Sequence, residues 1–212
     1  MIVLLDSIVV AVVAYLAGAI PFSYIAGKVF AGIDLREHGS GNLGASNTFR
    51  LLGGKIAVGV LLGDMAKGFL PVYFAASIAP TGTVPEHWLM LVAAFFAVIG
   101  HLFSAFVGFS GGKGIATTAG ALLALSPPVF LVSFVVFAVV FAAKRIVSLA
   151  SLAGAVTLPV AVFVLDRTGI VPSHWSLQVV SILITIAVVA KHHSNIKRLL
   201  AGEEPALHRS KR

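Results

Sequence analysis

IVLLDSIVVAVVAYLAGAIPFSYIAGKVF, residues Ile2–Phe30, stays apolar for longer than the roughly 20 residues a helix needs to cross a bilayer. No lysine or arginine precedes Lys28. The run therefore lacks the basic start of a cleaved signal peptide and is expected to remain as a membrane helix. The rest of the chain continues the pattern. Of 212 residues, 58% are hydrophobic and 11% charged, against about 25% charged in a soluble domain. Mean hydropathy is +1.03. So much apolar surface has to face lipid, which makes an all-α, polytopic membrane protein the expected class.

Seven apolar segments follow one another: Ile2–Phe30, Ile56–Ala79, Trp88–Phe109, Ile115–Leu125, Val129–Ala143, Val147–Leu165 and Trp175–Ala190. They predict seven transmembrane helices, the fourth and fifth short, within a single integral-membrane domain spanning 1–212. LSPP (Leu125–Pro128) divides the fourth from the fifth. It predicts either two short spanning helices or one re-entrant hairpin, since two prolines would break a continuous helix twice. Charge then orients the bundle. All but Lys67 and Arg167 of the fifteen lysines and arginines, from Lys28 to Arg212, fall on one side. The positive-inside rule makes that side cytoplasmic. The N-terminus is thus expected outside, and residues 191–212 include a cytoplasmic basic tail.

The net charge of +7 therefore reads as a topology signal. No basic helix with interleaved aromatics accompanies it, and no nucleic-acid partner is expected. With no cysteine in the chain, disulfides, thiolate nucleophiles and cysteine metal sites are excluded.

Three polar, glycine-bearing stretches fall on the predicted cytoplasmic face: HGSGNLGASNTFR (His38–Arg50), GFSGGKGIAT (Gly108–Thr117) and KHHSNIKRLLAGEE (Lys191–Glu204). In the first, seven of the eight residues from Gly39 to Ser46 are small or polar. Glycines at 39, 41 and 44 let successive N–H groups turn inward as an anion-binding nest, and a helix N-terminus just beyond adds its positive end. Ser40, Asn42, Ser46 and Asn47 supply neutral donors, and Arg50 can fork onto phosphate oxygens. In the second stretch, Gly111, Gly112 and Gly114 surround Lys113, and Thr117 follows. The spacing is not that of a nucleotide phosphate loop, but backbone N–H groups beside one ammonium suit an anion. Ser40-Gly41-x-x-Gly44 is echoed by Ser110-Gly111-x-x-Gly114, a weak internal repeat.

Asp64 and Lys67 lie three apart inside the second apolar segment, where they can pair. Charges at membrane depth are costly, so the pair is expected to support the site. His101, at the end of an apolar run two turns before SGGKG, reads as a second supporting residue. His192 and Asn195 share a helical face, with Lys191, Lys197 and Arg198 nearby. The spacing of HHSN lacks the further ligands a zinc site needs, and no metal or cofactor is expected.

Together GSGNLGASN, GGKGIAT and HHSNIKRLLAGEE, with GDMAKG between the first two, resemble the bacterial acyl-phosphate:glycerol-3-phosphate acyltransferase family in order and spacing across nearly the whole chain. Three features depart from the family pattern: Ser46 replaces Thr, Ser104 and Ser110 replace a commoner Pro and Lys, and His193 takes a frequently basic position. The resemblance implies a multi-pass enzyme of the bacterial inner membrane whose active site faces the cytoplasm. It would move a fatty acyl group from acyl phosphate to the 1-hydroxyl of sn-glycerol 3-phosphate. The products would be lysophosphatidic acid and phosphate, beginning phospholipid synthesis. Membrane lipid and an upstream acyl-phosphate-forming enzyme would be its partners. No G-x-S-x-G elbow occurs, and no histidine is followed five places later by aspartate, so direct transfer is expected rather than a covalent acyl-enzyme.

Under that resemblance Ser40, Gly41, Asn42, Gly44, Ser46 and Asn47 form one phosphate cradle. Gly111, Gly112, Gly114 and Thr117 belong to the other glycine loop. Arg50, Lys113 and Asn195 meet glycerol 3-phosphate or the transferring group, with Ser148 as an auxiliary donor and Glu204 in support. His192 or a substrate phosphate takes the hydroxyl proton. A membrane transporter for a small organic phosphate is the competing reading, since anion-seeking helix ends also build transport sites.

Overall fold

A computed structural model describes residues 2–171 and 175–207. The tail cations Arg209, Lys211 and Arg212, and the connection at 172–174, lie outside the described residues. All regular structure among the described residues is helical. The chain divides into two compact units, the first ending at Leu125 and the second beginning at Ser126.

The first unit contains α1 (Ile2–Ala19), α2 (Phe22–Ala31), α3 (Ala45–Leu52), α4 (Gly54–Tyr73), the short α5 (Ala75–Ile78), α6 (Glu86–Leu102) and α7 (Ile115–Leu125). Glycines bring two helix pairs into backbone contact. A Cβ on Gly18 of α1 would collide with the Ala97 carbonyl of α6, and one on Gly100 with that of Tyr15. Gly68 of α4 meets the Thr117 carbonyl of α7 in the same way, and Gly120 that of Met65. Such reciprocal small-residue packing is how helices associate where lipid removes the hydrophobic drive between them. Val10, Ala14, Val72, Leu89, Ala93 and Ala97 fill the core of this unit.

The second unit contains α8 (Pro127–Lys144), α9 (Val147–Arg167), α10 (Trp175–Lys191) and α11 (His193–Leu200). Pro159 inside α9 has no N–H for the Ala155 carbonyl, and Thr185 of α10 donates its hydroxyl there at 2.9 Å. α10 and α11 meet at 64°. α11 ends at Gly202 (φ 71°), and the Glu203 N–H reaches the Arg198 carbonyl at 2.8 Å, a glycine-closed helix end.

Each of the seven apolar segments contains a helix, with five differences from expectation, one being the break at Phe74 that divides the second segment into α4 and α5. The first segment is two helices, because Pro21 interrupts it. The third loses its helix at Leu102, and Phe103–Phe109 folds as a turn. The fifth is not short: α8 has 18 residues, because its two prolines occupy the first helical turn, where no N–H is needed. The tail contains a helix, α11. Five described helices are long and apolar enough to cross a membrane, or six if α10 and α11 form one bent span. α7, with 11 residues, is about 16 Å long.

Candidate functional site

The first polar stretch begins where α2 ends at Gly32, in the left-handed region (φ 68°). Asp34 accepts two-pronged bonds from Arg36 at 2.6–3.1 Å. The Arg36 guanidinium holds the Asp34 carboxyl down at about 2 and also donates to the Val107 carbonyl at 3.0 Å. One ion pair thus ties the loop after α2 to the turn after α6. Leu35, Leu43 and Val107 seal it from below.

The loop is closed by Asn47, in the first turn of α3. Its Oδ1 accepts the Ser40 N–H at 2.9 Å, and its Nδ2 donates to the carbonyls of Leu35 (3.0 Å) and His38 (3.1 Å). Gly39 (φ 61°) and Gly41 (φ 68°) supply the left-handed turns. A Cβ on Gly39 would strike the Asn47 amide oxygen. Asn47, placed by sequence in a phosphate cradle, is 1% exposed and spends its amide on the loop's own backbone. Ser40, Gly41, Asn42, Gly44 and Ser46 form the rim and the start of α3, with Ser40 and Gly41 exposed. Thr48, unnoticed in the sequence, bonds Ser23 of α2 at 2.9 Å and pins α3 against it. Arg50 is half-buried near the end of α3.

The second glycine loop leaves the turn through Gly108 (φ 67°) and Phe109 (φ 58°), and enters α7 at Gly114 (φ 80°). Its middle lies directly on α6 and on the first loop. The Gly112 N–H donates to the His101 carbonyl at 3.1 Å. A Cβ on Gly112 would collide with the Leu43 carbonyl and with His101 Nε2, and one on Gly111 with the His101 carbonyl. Only glycine permits this approach. Lys113 is half-buried, and Thr117 is fully buried in the first turn of α7.

Beneath both loops is the charged cluster. Lys67 and Asp64, 5% and 2% exposed, form an ion pair at 2.8 Å. His101 Nδ1 lies 3.6 Å from the same Asp64 oxygen. Lys67 also donates to the Ile20 carbonyl at 2.8 Å, and Ser104 donates to that of Ala19. Asp64, Lys67, His101, Ser104 and Ala19, with Ser23, Leu43 and Gly112, line a recess of about 210 Å³ counting its open mouth.

In the second unit the expected residues meet around Glu204. One oxygen of its carboxylate accepts from Ser148 (2.6 Å) and from Asn195, and the other from Arg198 Nε (2.6 Å). These bonds hold the Glu204 carboxyl below its ordinary range against the opposing effect of burial. Ser148 therefore gives its one hydroxyl hydrogen to Glu204, where sequence had made it a donor to substrate. His192 is buried at the bend between α10 and α11. Its Nδ1 lies 2.8 Å from the Val188 carbonyl, which can only accept, so Nδ1 carries hydrogen. No group of three or more histidines and carboxylates among the described residues is placed to hold a metal.

A family model for glycerol-3-phosphate acyltransferases matches residues 8–202. The chain belongs to the glycerol-3-phosphate acyltransferase family. A family member from Geobacillus kaustophilus is 45% identical over 192 residues, covering 91% of each chain. Another, from Synechococcus elongatus, is 42% identical over 207 residues, covering 96% of each. The fold is similar to the crystal structure of PlsY (YgiH), an integral membrane glycerol 3-phosphate acyltransferase, in its glycerol 3-phosphate form. The TM-score is 0.84 at 36% identity, covering 95% of this chain and 96% of that one. The lysophosphatidic acid form of PlsY matches with a TM-score of 0.81. This family member is likewise an integral membrane protein, with several membrane-spanning helices.

Removing the Glu204 carboxylate should destabilise the second unit, because buried donors on Ser148 and Asn195 lose their acceptor. Glu204→Ala should lower unfolding stability by about 1–3 kcal/mol. Glu204→Gln, which keeps an accepting oxygen, should lose less. Thermal unfolding in detergent checks this, and equal melting of all three proteins would show the network to be idle.

Proposed function

We propose that this protein transfers a fatty acyl group from acyl phosphate to the 1-hydroxyl of sn-glycerol 3-phosphate, giving lysophosphatidic acid and phosphate. The observation that carries the reading is the meeting of two glycine loops at Gly112 and Leu43, one bearing Lys113 and the other leading into α3 and Arg50. Both substrates carry phosphate, and the donor also carries a chain that belongs in lipid. Cation-bearing loops at the ends of apolar helices suit both requirements.

The chemistry asks for little beyond placement. The hydroxyl oxygen attacks the acyl carbon, the bond from that carbon to the phosphate oxygen breaks, and phosphate leaves with its electron pair. The hydroxyl proton goes to His192 Nε2 or to a phosphate oxygen. Because phosphate leaves readily, the protein's work is to align the reactants and to balance developing charge. Transfer is direct, and no residue here need carry the acyl group. Arg50 and Lys113 bind phosphate oxygens, Asn195 assists, and the glycine N–H groups with Ser40, Asn42 and Ser46 complete the cradles. The full chain acts as one catalytic domain.

We further propose that the protein sits in the bacterial cytoplasmic membrane with its N-terminus outside and both loops facing the cytoplasm. The support is the one-sided distribution of lysine and arginine, which is the same whether the fourth and fifth apolar segments are two spans or together one re-entrant hairpin.

Purified protein in detergent should convert labelled glycerol 3-phosphate to an organic-extractable product with acyl phosphate and fail with acyl-CoA. Detergent removes any compartment to transport into, so absence of product would favour the transporter reading, and turnover with acyl-CoA would remove the donor assignment. Lys113→Ala and Arg50→Ala should insert and melt nearly as wild type, since neither side chain is fully buried and a charge that water still reaches contributes about 0–1 kcal/mol to stability. Each should lose roughly ten- to a hundred-fold in rate, as expected for one charge-assisted bond to phosphate. Arg50→Lys should also be poor, because an ammonium cannot make a two-pronged contact. Lys144→Ala, at the exposed end of α8, is the control. Near-normal kinetics in the first two variants would refute the site. For topology, single cysteines at positions 42 and 170 should label from opposite sides of sealed vesicles; labelling of both from the same side would discard the topology.

A further inference from the structure

We propose that Asp64, Lys67 and His101 are positioning residues that fix the spacing between the two glycine loops and thereby align the reacting groups. The proposal rests on reading those loops as the phosphate-binding elements. A buried ion pair needs a reason other than stability, because well-packed apolar residues of similar volume are usually as stable or more so. Here the contacts of Lys67 with the Ile20 carbonyl and of the His101 carbonyl with Gly112 each lead to a loop root.

Lys67 reaches the Ile20 carbonyl, at the break from which α2 and the first loop depart. Asp64 places one oxygen 2.8 Å from Lys67 and 3.6 Å from His101. His101 carries the second loop on its carbonyl, at 3.1 Å from the Gly112 nitrogen. Its ring edge lies where a Gly112 side chain would be, and the Leu43 carbonyl closes the same space. Leu43 immediately precedes Gly44, the N-cap of α3. A continuous path therefore runs from Ile20 through Lys67, Asp64, His101 and Gly112 to Leu43. Moving any member shifts one loop against the other while leaving each loop's own glycines and donors intact.

This predicts a specific kinetic signature. Misalignment by about 1 Å can cost on the order of a hundred-fold in rate without removing a binding contact. The full-length double variant Asp64→Leu, Lys67→Met removes both charges together and so leaves neither unpaired. It should insert and melt close to wild type, with kcat reduced at least about ten-fold and KM for glycerol 3-phosphate and for acyl phosphate within about three-fold. His101→Phe keeps a ring against Gly112 but loses the nitrogen facing Asp64, and should show the same split. Wild-type kcat in the two proteins, or a loss confined to KM, would overturn the proposal. So would failure of both variants to insert, since the cluster would then be a folding element. The two readings fail separately. Normal kinetics in Lys113→Ala and Arg50→Ala would remove the phosphate-loop reading. Normal kcat in the cluster variants, beside impaired loop variants, would remove only this inference.

Discussion

The first unit is organised around a proline that cannot donate. Pro21 offers no N–H to the Ala17 carbonyl, which instead takes the Ile20 N–H at 3.2 Å. At the break the Ile20 carbonyl takes the Phe22 N–H at 3.2 Å, and the Ala19 carbonyl lies beside it at the end of α1. Within a membrane protein an unsatisfied backbone carbonyl costs several kcal/mol, and both carbonyls at this break take a side-chain donor. Ser104 supplies one and Lys67 the other. The end of α6 and the middle of α4 are thereby committed to a single point on the first chain segment. The buried ammonium in turn requires Asp64, and Asp64 lies beside His101.

Close helix packing makes this geometry reachable. Gly18 and Gly100, which let α1 and α6 touch, directly precede Ala19 and His101. The contact that joins the helices therefore also delivers a carbonyl to Ser104 and a histidine to the second loop. On the other side, Gly68 directly follows Lys67 and meets the carbonyl of Thr117, three residues beyond Gly114. A larger residue at any of these places would separate helices and move polar groups at the same time. Packing and site geometry in this unit are one constraint.

Hydropathy alone located each apolar helix, because burial in lipid demands long apolar runs whatever their partners. The i,i+3 spacing of Asp64 and Lys67 likewise identified a pair, and glycine density marked both loops. Composition is blind to directed bonds. Nothing local announces that Ser104 will donate to Ala19, 85 residues away, or that Ser148 will meet Glu204, 56 residues on. The break at Pro21 was hidden inside a continuous apolar run. Asn47 looked like an anion ligand because a free amide in a glycine loop would be one. The turn geometry of Gly39 and Gly41 instead brings three backbone groups to it, and they take up its donors and acceptor.

The two units hold polar groups at the ends of apolar helices by different means. The first packs glycine N–H groups and carbonyls too closely for side chains and ties its loops with the Asp34–Arg36 pair and the Asn47 amide. The second uses a carboxylate that gathers Ser148, Asn195 and Arg198. The difference bears on which groups can meet an anion. A hydroxyl has one hydrogen, and while Ser148 gives it to Glu204 the residue has only lone pairs to offer a phosphate oxygen, which repels them. A guanidinium has five N–H donors, and Arg198 uses Nε on the carboxylate. Glu204 thus occupies the Ser148 hydroxyl hydrogen and holds Arg198 through Nε. The same carboxylate that occupies the serine also holds the Asn195 amide and the Arg198 guanidinium.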